Sequence, residues 1–224
     1  MSIFASDPDR ALAAAVSAGE AADLVELRLD AMEVPDPAFF LSRLETPVLI
    51  TCRPEWEGGC FRGSEVERRD ILMAAIRDGA AYVDIELKTA VEMRQLLLAA
   101  AKEKGVKSIV SWHDFKTTAS AKALESIFQE QCRTGADVGK IVTTARDFRD
   151  VLRVLGLQEL SHETGFPLCA FCMGKAGVIS RIATLEMGGF MSYAAADDGQ
   201  PAAPGQLSVS VMRRIMEALA DGRD

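Results

Sequence analysis

The sequence contains little of what several common classes of protein need. It has only two histidines in 224 residues, which disfavours a zinc site built from imidazoles. Lysine and arginine together number 25 against 33 aspartates and glutamates, which gives a formal net charge of −8. That excess of negative charge argues against nucleic acid or an anionic membrane as the main partner. A magnesium site made only of carboxylates remains compatible with the composition.

Long hydrophobic segments are absent as well. No run approaches the roughly 18 consecutive apolar residues that a membrane-spanning helix needs, and residues 1–6 do not have the features of a secretory signal. The five cysteines are an odd number and are scattered through apolar segments, which is typical of reduced thiols in a reducing compartment. We therefore expect a cytoplasmic protein.

Short motifs of known chemistry give little support for a metal, redox or nucleotide site. Cys169 and Cys172 have C-x-x-C spacing, but they lie in an apolar run, residues 166–173, that predicts a β-strand. Residues three apart in a strand point to opposite faces, so we expect two separate core cysteines. No glycine-rich phosphate-binding motif follows any predicted strand, so nucleotide binding has no support either.

Strand-like apolar runs alternate with amphipathic helical segments along the whole chain. The predicted strands are residues 2–5, 23–29, 47–53, 80–87, 108–115, 136–142, 166–173 and 189–193. Helix starts are marked by Asp7 before a proline, and by Ser64 three residues before Glu67. Eight strands, each followed by a helix, predict an α/β protein with a single (β/α)8 TIM barrel domain over residues 1–224. A doubly wound open sheet is the alternative.

Charged side chains occur inside the predicted strands at a spacing of two. Glu26 and Arg28 share one face of their strand. Asp84 and Glu86 share one face of theirs. Such a pair usually lies on the solvent side of an amphipathic strand. In a parallel barrel, however, helices cover the outer face, so we expect these charges to point into the interior, near an active site at the carboxyl ends of the strands.

Lys140 and His113 carry the chemistry that we expect at that site. Lys140 lies within the sixth predicted strand, where burial is costly unless its charge is relieved, and a lysine that has lost its proton is a nucleophile. His113 lies at the carboxyl end of the fifth strand, and imidazole is a common general acid and base. From the residues alone, a purely structural role for His113 remains open.

These segments together resemble type I 3-dehydroquinate dehydratase, the Schiff-base enzyme of the shikimate pathway. The matching residues, in chain order, are 26–30, 51–53, 57–59, 84–86, 111–115, 140, 173–174, 178–181 and 203–206. The resemblance implies a (β/α)8 barrel that forms a homodimer and needs no metal or organic cofactor. It also implies a small-molecule substrate, 3-dehydroquinate, and no nucleic-acid or membrane partner.

Three catalytic residues follow from the resemblance. Lys140 would attack the C3 ketone of the substrate and form an imine, which acidifies the neighbouring C2 proton. His113 would remove that proton and later protonate the departing C1 hydroxyl, which gives 3-dehydroshikimate. Glu57 would orient His113. Asp84 and Glu86 would balance the charge around Lys140.

The resemblance also implies a set of substrate-binding residues: Ser2, Glu26, Arg28, Arg53, Arg181 and Gln206. Arg181 would hold the substrate carboxylate through its planar guanidinium, and residues 196–206 would form a lid over the substrate. The family often has a serine where this chain has Ala202, so we expect one hydrogen bond to the substrate to be missing or replaced. The rival functions are another class I Schiff-base aldolase and a catalytically silent ligand-binding barrel.

Overall fold

Seven parallel strands form one sheet in the computed structural model, which describes residues 1–197 and 203–222. The strands are β1 (Ser2–Ile3), β2 (Val25–Arg28), β3 (Val48–Thr51), β4 (Tyr82–Glu86), β5 (Lys107–Asp114), β6 (Val138–Thr144) and β7 (Leu168–Met173). Each strand pairs with the next one along the chain. This sequential order contradicts the doubly wound alternative, in which the strand order reverses at a switch point. The prediction of an α/β fold is confirmed.

Nine α-helices accompany the strands within the described ranges. They are α1 (Pro8–Gly19), α2 (Pro37–Leu41), α3 (Glu65–Arg77), α4 (Val91–Lys104), α5 (Ala121–Arg133), α6 (Phe148–Leu155), α7 (Leu157–Thr164), α8 (Ser180–Glu186) and α9 (Val209–Asp221). Two of them begin where the sequence predicts, because Asp7 caps α1 and Ser64 forms a reciprocal capping box with Glu67 at the start of α3. None of the helices in this part of the chain is long and apolar enough to cross a membrane.

The strand side chains alternate between an outer core and an inner core. In β3, Ile50 packs in the cluster that includes helix residues, whereas Leu49 belongs to an inner cluster made of strand and loop residues. The same alternation separates Cys169, which is in the inner cluster, from Cys172, which packs against the helices. The prediction of opposite faces is therefore confirmed, and all five cysteines are free thiols.

The predicted eighth strand, residues 189–193, is not a strand in the described structure. This segment and the residue after it nevertheless contact both edges of the sheet: the Phe190 backbone N donates to Leu168 O at 2.9 Å, and the Ser2 backbone N donates to Ala194 O at 3.0 Å. A regular ladder has little to pair with on one side, because β1 is only two residues long. Eight regular strands are therefore not confirmed, and the architecture of the described residues is a curled seven-stranded parallel sheet.

The register of the strands brings the charged residues together. Glu86 on β4 lies opposite Ser111 on β5, and Ser111 lies opposite Lys140 on β6. Two residues further along β5, His113 lies opposite Val142. Since side chains repeat every second residue on one face, His113 and Lys140 share the inner face of the sheet, one step apart on neighbouring strands.

Candidate active site

A cavity of about 80 Å³ opens on the inner face of the sheet. Eight of the nine predicted site residues line it: Ser2, Glu26, Arg28, Arg53, His113, Lys140, Arg181 and Gln206. The ninth, Glu57, contacts His113. Apolar side chains complete the wall, among them Phe115, Phe171 and Met173. Residues that are far apart in the sequence therefore meet around a small space.

Lys140 is buried in this cavity, and two carboxylates surround its amine. Nζ lies 3.1 Å from Asp84 Oδ2 and 3.9 Å from Glu26 Oε1. The ring of Tyr193 covers it from another side, with the ring centroid 4.1 Å from Nζ. The lysine is thus compensated by neighbouring negative charge, which is what a buried amine requires.

A buried glutamine fixes the spacing of the two strands that carry the histidine and the lysine. Gln131, on α5, donates its side-chain amide to Val110 O on β5 at 3.0 Å and to Lys140 O on β6 at 2.9 Å. Gly139 makes this approach possible, because a Cβ there would lie 2.7 Å from Gln131 Oε1. A glycine inside a strand pattern was the available sequence signal for this contact.

Asp84 is an ionised partner of Lys140. It accepts hydrogen bonds from Arg53 at 2.8 Å and from the Ser111 hydroxyl at 2.5 Å, in addition to the lysine. Burial alone would raise the pKa of Asp84, but Arg53 and Lys140 outweigh burial and hold that pKa well below its ordinary value. A negative charge is therefore fixed beside Nζ.

Glu86 pairs with two arginines instead of with Lys140. Arg53 lies 2.8 Å from one carboxylate oxygen, and Arg68 contacts the other. Burial raises the pKa of Glu86 although both arginines act in the opposite direction. The structure therefore places Glu86 as a support for Arg53, which in turn holds Asp84.

Arg68 was not predicted from the sequence. It lies on α3, is fully buried, and also bonds to the Thr89 hydroxyl at 2.9 Å. Position 68 is one turn before the buried Leu72, so the arginine interrupts the apolar face of its helix. A charged residue on such a face was the signal that could have identified it.

His113 is held by Glu57 through two contacts. Glu57 Oε1 accepts from the His113 backbone N at 3.0 Å and lies 3.1 Å from the ring Nδ1. Burial, together with the positive charges of Arg53 and Lys140, lowers the pKa of His113 well below its ordinary value. A neutral imidazole in this position is ready to accept a proton.

Glu57 lies in a 3₁₀ turn, Glu55–Glu57, and is almost completely buried. Burial raises its pKa to about 7. The turn ends at Gly58, whose φ of 75° is in the left-handed region. A Cβ at Gly58 would lie 2.2 Å from the Phe115 ring, and that ring stacks on His113 with the centroids 5.9 Å apart. The glycine thus allows the turn, the phenylalanine and the histidine to pack together.

Glu26 is the second carboxylate near the lysine. It accepts hydrogen bonds from the Ser2 hydroxyl and from Thr51 Oγ1, the latter at 2.8 Å. Thr51 was part of the matched segments but had no assigned role, and its contact follows from the pairing of β2 with β3. In the described part of the chain, no group of three or more His, Cys, Asp or Glu side chains could hold a metal ion.

The three arginines of the cavity differ in their partners. Arg53 is occupied by Asp84 and Glu86, and Arg28 makes a two-point contact with Asp30 at 2.8 and 2.7 Å. Arg181 has no carboxylate within ion-pair distance among the described residues. It therefore offers a positive charge that no carboxylate of the described residues pairs with.

The surroundings of Arg181 are carbonyl groups and one aromatic ring. Its guanidinium donates to Tyr193 O at 3.5 Å and to Pro204 O at 3.3 Å, and it lies 4.8 Å from the centroid of the Phe171 ring. Burial lowers the pKa of Arg181 to about 10. An anion in the cavity would relieve this desolvation cost.

The predicted lid lies partly outside the described residues. Ala202 falls there, so the expected effect of its missing hydroxyl stays a prediction. The described end of the loop lies against β7, because Gly174 N donates to Pro204 O at 3.3 Å. Gln206 then contributes to the lining of the cavity.

Comparison with known proteins agrees over nearly the whole chain. The family model described as Type I 3-dehydroquinase matches residues 1–223. The 3-dehydroquinate dehydratase of Desulfotalea psychrophila is 45% identical over 194 residues, which are 87% of this chain and 86% of that protein. The 3-dehydroquinate dehydratase of Methanosarcina acetivorans is 35% identical over 212 residues, which are 91% of this chain and 88% of that protein.

A solved structure shares the fold as well. The crystal structure of 3-dehydroquinate dehydratase from Geobacillus kaustophilus HTA426 has a TM-score of 0.90 and 28% identity, and the match covers 100% of this chain and 91% of that chain. Sequence, fold and family model therefore agree. The chain belongs to the type I 3-dehydroquinase family.

Proposed function

We propose that this chain is a hydro-lyase that converts 3-dehydroquinate to 3-dehydroshikimate through a Schiff base on Lys140. The observation that carries the proposal is the joint position of an amine and an imidazole: Lys140 and His113 line one small cavity, each with its own carboxylate partner. That pairing supplies the nucleophile and the proton carrier that the dehydration needs.

The reaction begins with addition of the Lys140 amine to the C3 ketone of the substrate. The ketone oxygen leaves as water, which produces a protonated imine. His113 then takes the C2 proton, and the electron pair of that C–H bond moves into an enamine. The pair returns to expel the C1 hydroxyl, which receives the proton from His113 and leaves as a second water. Hydrolysis of the imine consumes one water, releases the product and restores the lysine.

The fixed charges of the cavity suit this sequence of steps. Asp84 stays ionised beside Nζ and compensates the positive imine nitrogen. Because the pKa of His113 is lowered, the imidazole is neutral when it must act as a base. Glu57 occupies Nδ1, so Nε2 is the ring nitrogen that remains for the substrate proton.

Substrate binding is assigned to the six predicted residues of the cavity. Arg181 binds the carboxylate, because it alone among the cavity arginines lacks a carboxylate partner in the described ranges. The hydroxyl groups of the substrate are assigned to Glu26, Ser2 and Gln206, which have hydrogen-bonding side chains in the lining. Arg28 and Arg53, which already have carboxylate partners, contribute positive potential.

The finer features of the family are part of the proposal. Residues 190–194 would complete a (β/α)8 barrel, which the hydrogen bonds of Phe190 and Ala194 to the two edges of the sheet support. The chain would act without a cofactor, as a homodimer in the cytoplasm. Light scattering should then give twice the chain mass of 24.2 kDa, and a mass of one chain at working concentration would argue against the dimer.

A borohydride trap tests the mechanism. The protein is mixed with 3-dehydroquinate, reduced and digested, and the added mass is located by peptide mass spectrometry. We expect the adduct on Lys140 in the wild-type chain and neither adduct nor turnover in Lys140→Ala. Turnover is followed by the ultraviolet absorbance of the conjugated enone product. Product formation by Lys140→Ala at the wild-type rate would overturn the Schiff-base mechanism.

A further inference from the structure

The aromatic ring beside Lys140 has no role in the mechanism so far. Tyr193 lies in the irregular segment that joins the two edges of the sheet, and it is only 7% exposed. Its ring centroid is 4.1 Å from Lys140 Nζ, and both residues line the 80 Å³ cavity. The face of an aromatic ring carries partial negative charge and attracts a cation at this distance.

The position of the ring is fixed by its surroundings. Tyr193 packs against the Phe171 ring with the centroids 5.8 Å apart. Its carbonyl accepts from Arg181, and the next carbonyl, Ala194 O, accepts from the backbone N of Ser2. The ring is therefore held from β7, α8 and β1 together.

Tyr193 also separates the catalytic cavity from a larger one. A second cavity of about 760 Å³ is lined by Glu26 and Tyr193 and by residues at the amino-terminal ends of strands, including Leu24, Pro47 and Tyr82. Tyr193 and Glu26 thus lie between the two cavities, and Tyr193 and Lys140 are only 7% and 4% exposed. A charge–ring interaction is strongest where water is excluded.

The two carboxylates near Nζ also accept hydrogen bonds from other residues. Asp84 also accepts from Arg53 and Ser111. Glu26 accepts from hydroxyl groups and lies further from Nζ, at 3.9 Å. The ring is the neighbour of Nζ that stabilises a cation without a counter-charge of its own.

We propose that Tyr193 is a catalytic residue of the dehydration: the face of its ring stabilises the positively charged imine nitrogen formed on Lys140. The inference rests on the Schiff base proposed above. The phenol hydroxyl is not needed for it. That hydroxyl is buried and has no hydrogen-bond partner among the described residues, so Tyr193→Phe removes one atom and keeps the ring.

The test compares variants that keep the ring with variants that remove it. Tyr193→Phe should stay within about threefold of the wild-type kcat, because phenylalanine keeps the ring face. Tyr193→Leu and Tyr193→Met, which are apolar but not aromatic, should lose about tenfold or more in kcat and in the fraction of chain trapped by borohydride. Tyr82→Leu is the matched control, since it makes the same substitution in the larger cavity away from Lys140, and it should keep both values.

Three results would count against the proposal. Wild-type trapping and kcat in folded Tyr193→Met would remove the ring from the mechanism. An equal loss in Tyr193→Phe would assign the effect to the hydroxyl, and an equal loss in Tyr82→Leu would show general damage to the fold. Lys140→Ala distinguishes the two proposals. Turnover in that variant would contradict the Schiff base itself. An adduct on Lys140 in the wild type, together with unchanged kcat and trapping in the Tyr193 variants, would contradict only the role of the ring. Circular dichroism confirms folding of each variant.

Discussion

A single carboxylate oxygen holds both the backbone and the ring of the candidate base. Glu57 Oε1 accepts from the His113 backbone N at 3.0 Å and lies 3.1 Å from Nδ1. The carboxylate thus sets the position of the strand end and the orientation of the imidazole at once. Chemistry at His113 and stability of the fold are therefore linked through one side chain.

His113→Ala should separate imine formation from proton transfer. The lysine and its carboxylate partners are unchanged, so borohydride should still trap an adduct on Lys140. Turnover should fall by about 10²–10⁴-fold, because the proton carrier is lost. The measurement is kcat from enone absorbance beside the trapped fraction. Wild-type turnover in this variant would take His113 out of the mechanism.

Glu57→Gln should change how stability depends on pH. Burial raises the pKa of Glu57 from 4.5 to about 7, so the folded chain keeps a proton that the unfolded chain releases. The associated stability is fully present below pH 4.5 and is lost as the pH rises through about 7. Glutamine cannot ionise, so the variant should escape this loss.

Thermal unfolding at two pH values measures the effect. The Tm of Glu57→Gln minus that of the wild type should increase between about pH 5 and about pH 8. The increase should be roughly 2–4 °C for each kcal/mol of unfolding free energy that the wild type loses as Glu57 ionises. His113, whose pKa is lowered, has the opposite pH dependence, but it is present in both proteins and largely cancels in the difference. A difference that is constant over this window would contradict a protonated Glu57 in the folded state.

Arg181→Ala should chiefly weaken substrate binding. The guanidinium has no carboxylate partner in the described ranges, so its removal leaves no buried anion behind. KM should rise by roughly 10–100-fold, the usual effect of losing a charged hydrogen bond, with a smaller change in kcat. Arg181→Lys keeps the charge but not the planar guanidinium, so its KM should lie between those of the wild type and Arg181→Ala. An unchanged KM in Arg181→Ala would argue against the carboxylate contact.

Arg68→Met should destabilise the fold without touching the cavity lining. It leaves Glu86 with Arg53 alone, and breaking a buried ion pair costs about 3–5 kcal/mol. The Tm should therefore drop by roughly 6–20 °C, at 2–4 °C for each kcal/mol. Arg62→Met is the matched control, because its ion pair with Glu55 is exposed, and it should leave the Tm nearly unchanged. Equal Tm values for the two variants would refute the structural role of Arg68.

Much of the site could be predicted from the sequence because strands have a simple period. Once Glu26, Asp84 and Lys140 are placed in parallel strands, their spacing fixes the face on which they lie. Arg68 could not be found in this way, because it reaches Glu86 from a helix. The alternation of residues along a strand does not predict how α3 packs on β4. The irregular segment at residues 189–193 also has the composition of a strand, but β1, on one side of it, is only two residues long and offers little backbone for a ladder.

The glutamine behind the sheet has a consequence for how this enzyme could change over time. Gln131 sets the separation of β5 and β6 from the helix side. It therefore also sets the distance between Lys140, the nucleophile, and His113, the base. Substitutions on α5 could retune the reaction while every residue in contact with the substrate stays the same. Variant libraries designed for new substrates should therefore change residues on the inner face of the sheet and keep α5 constant.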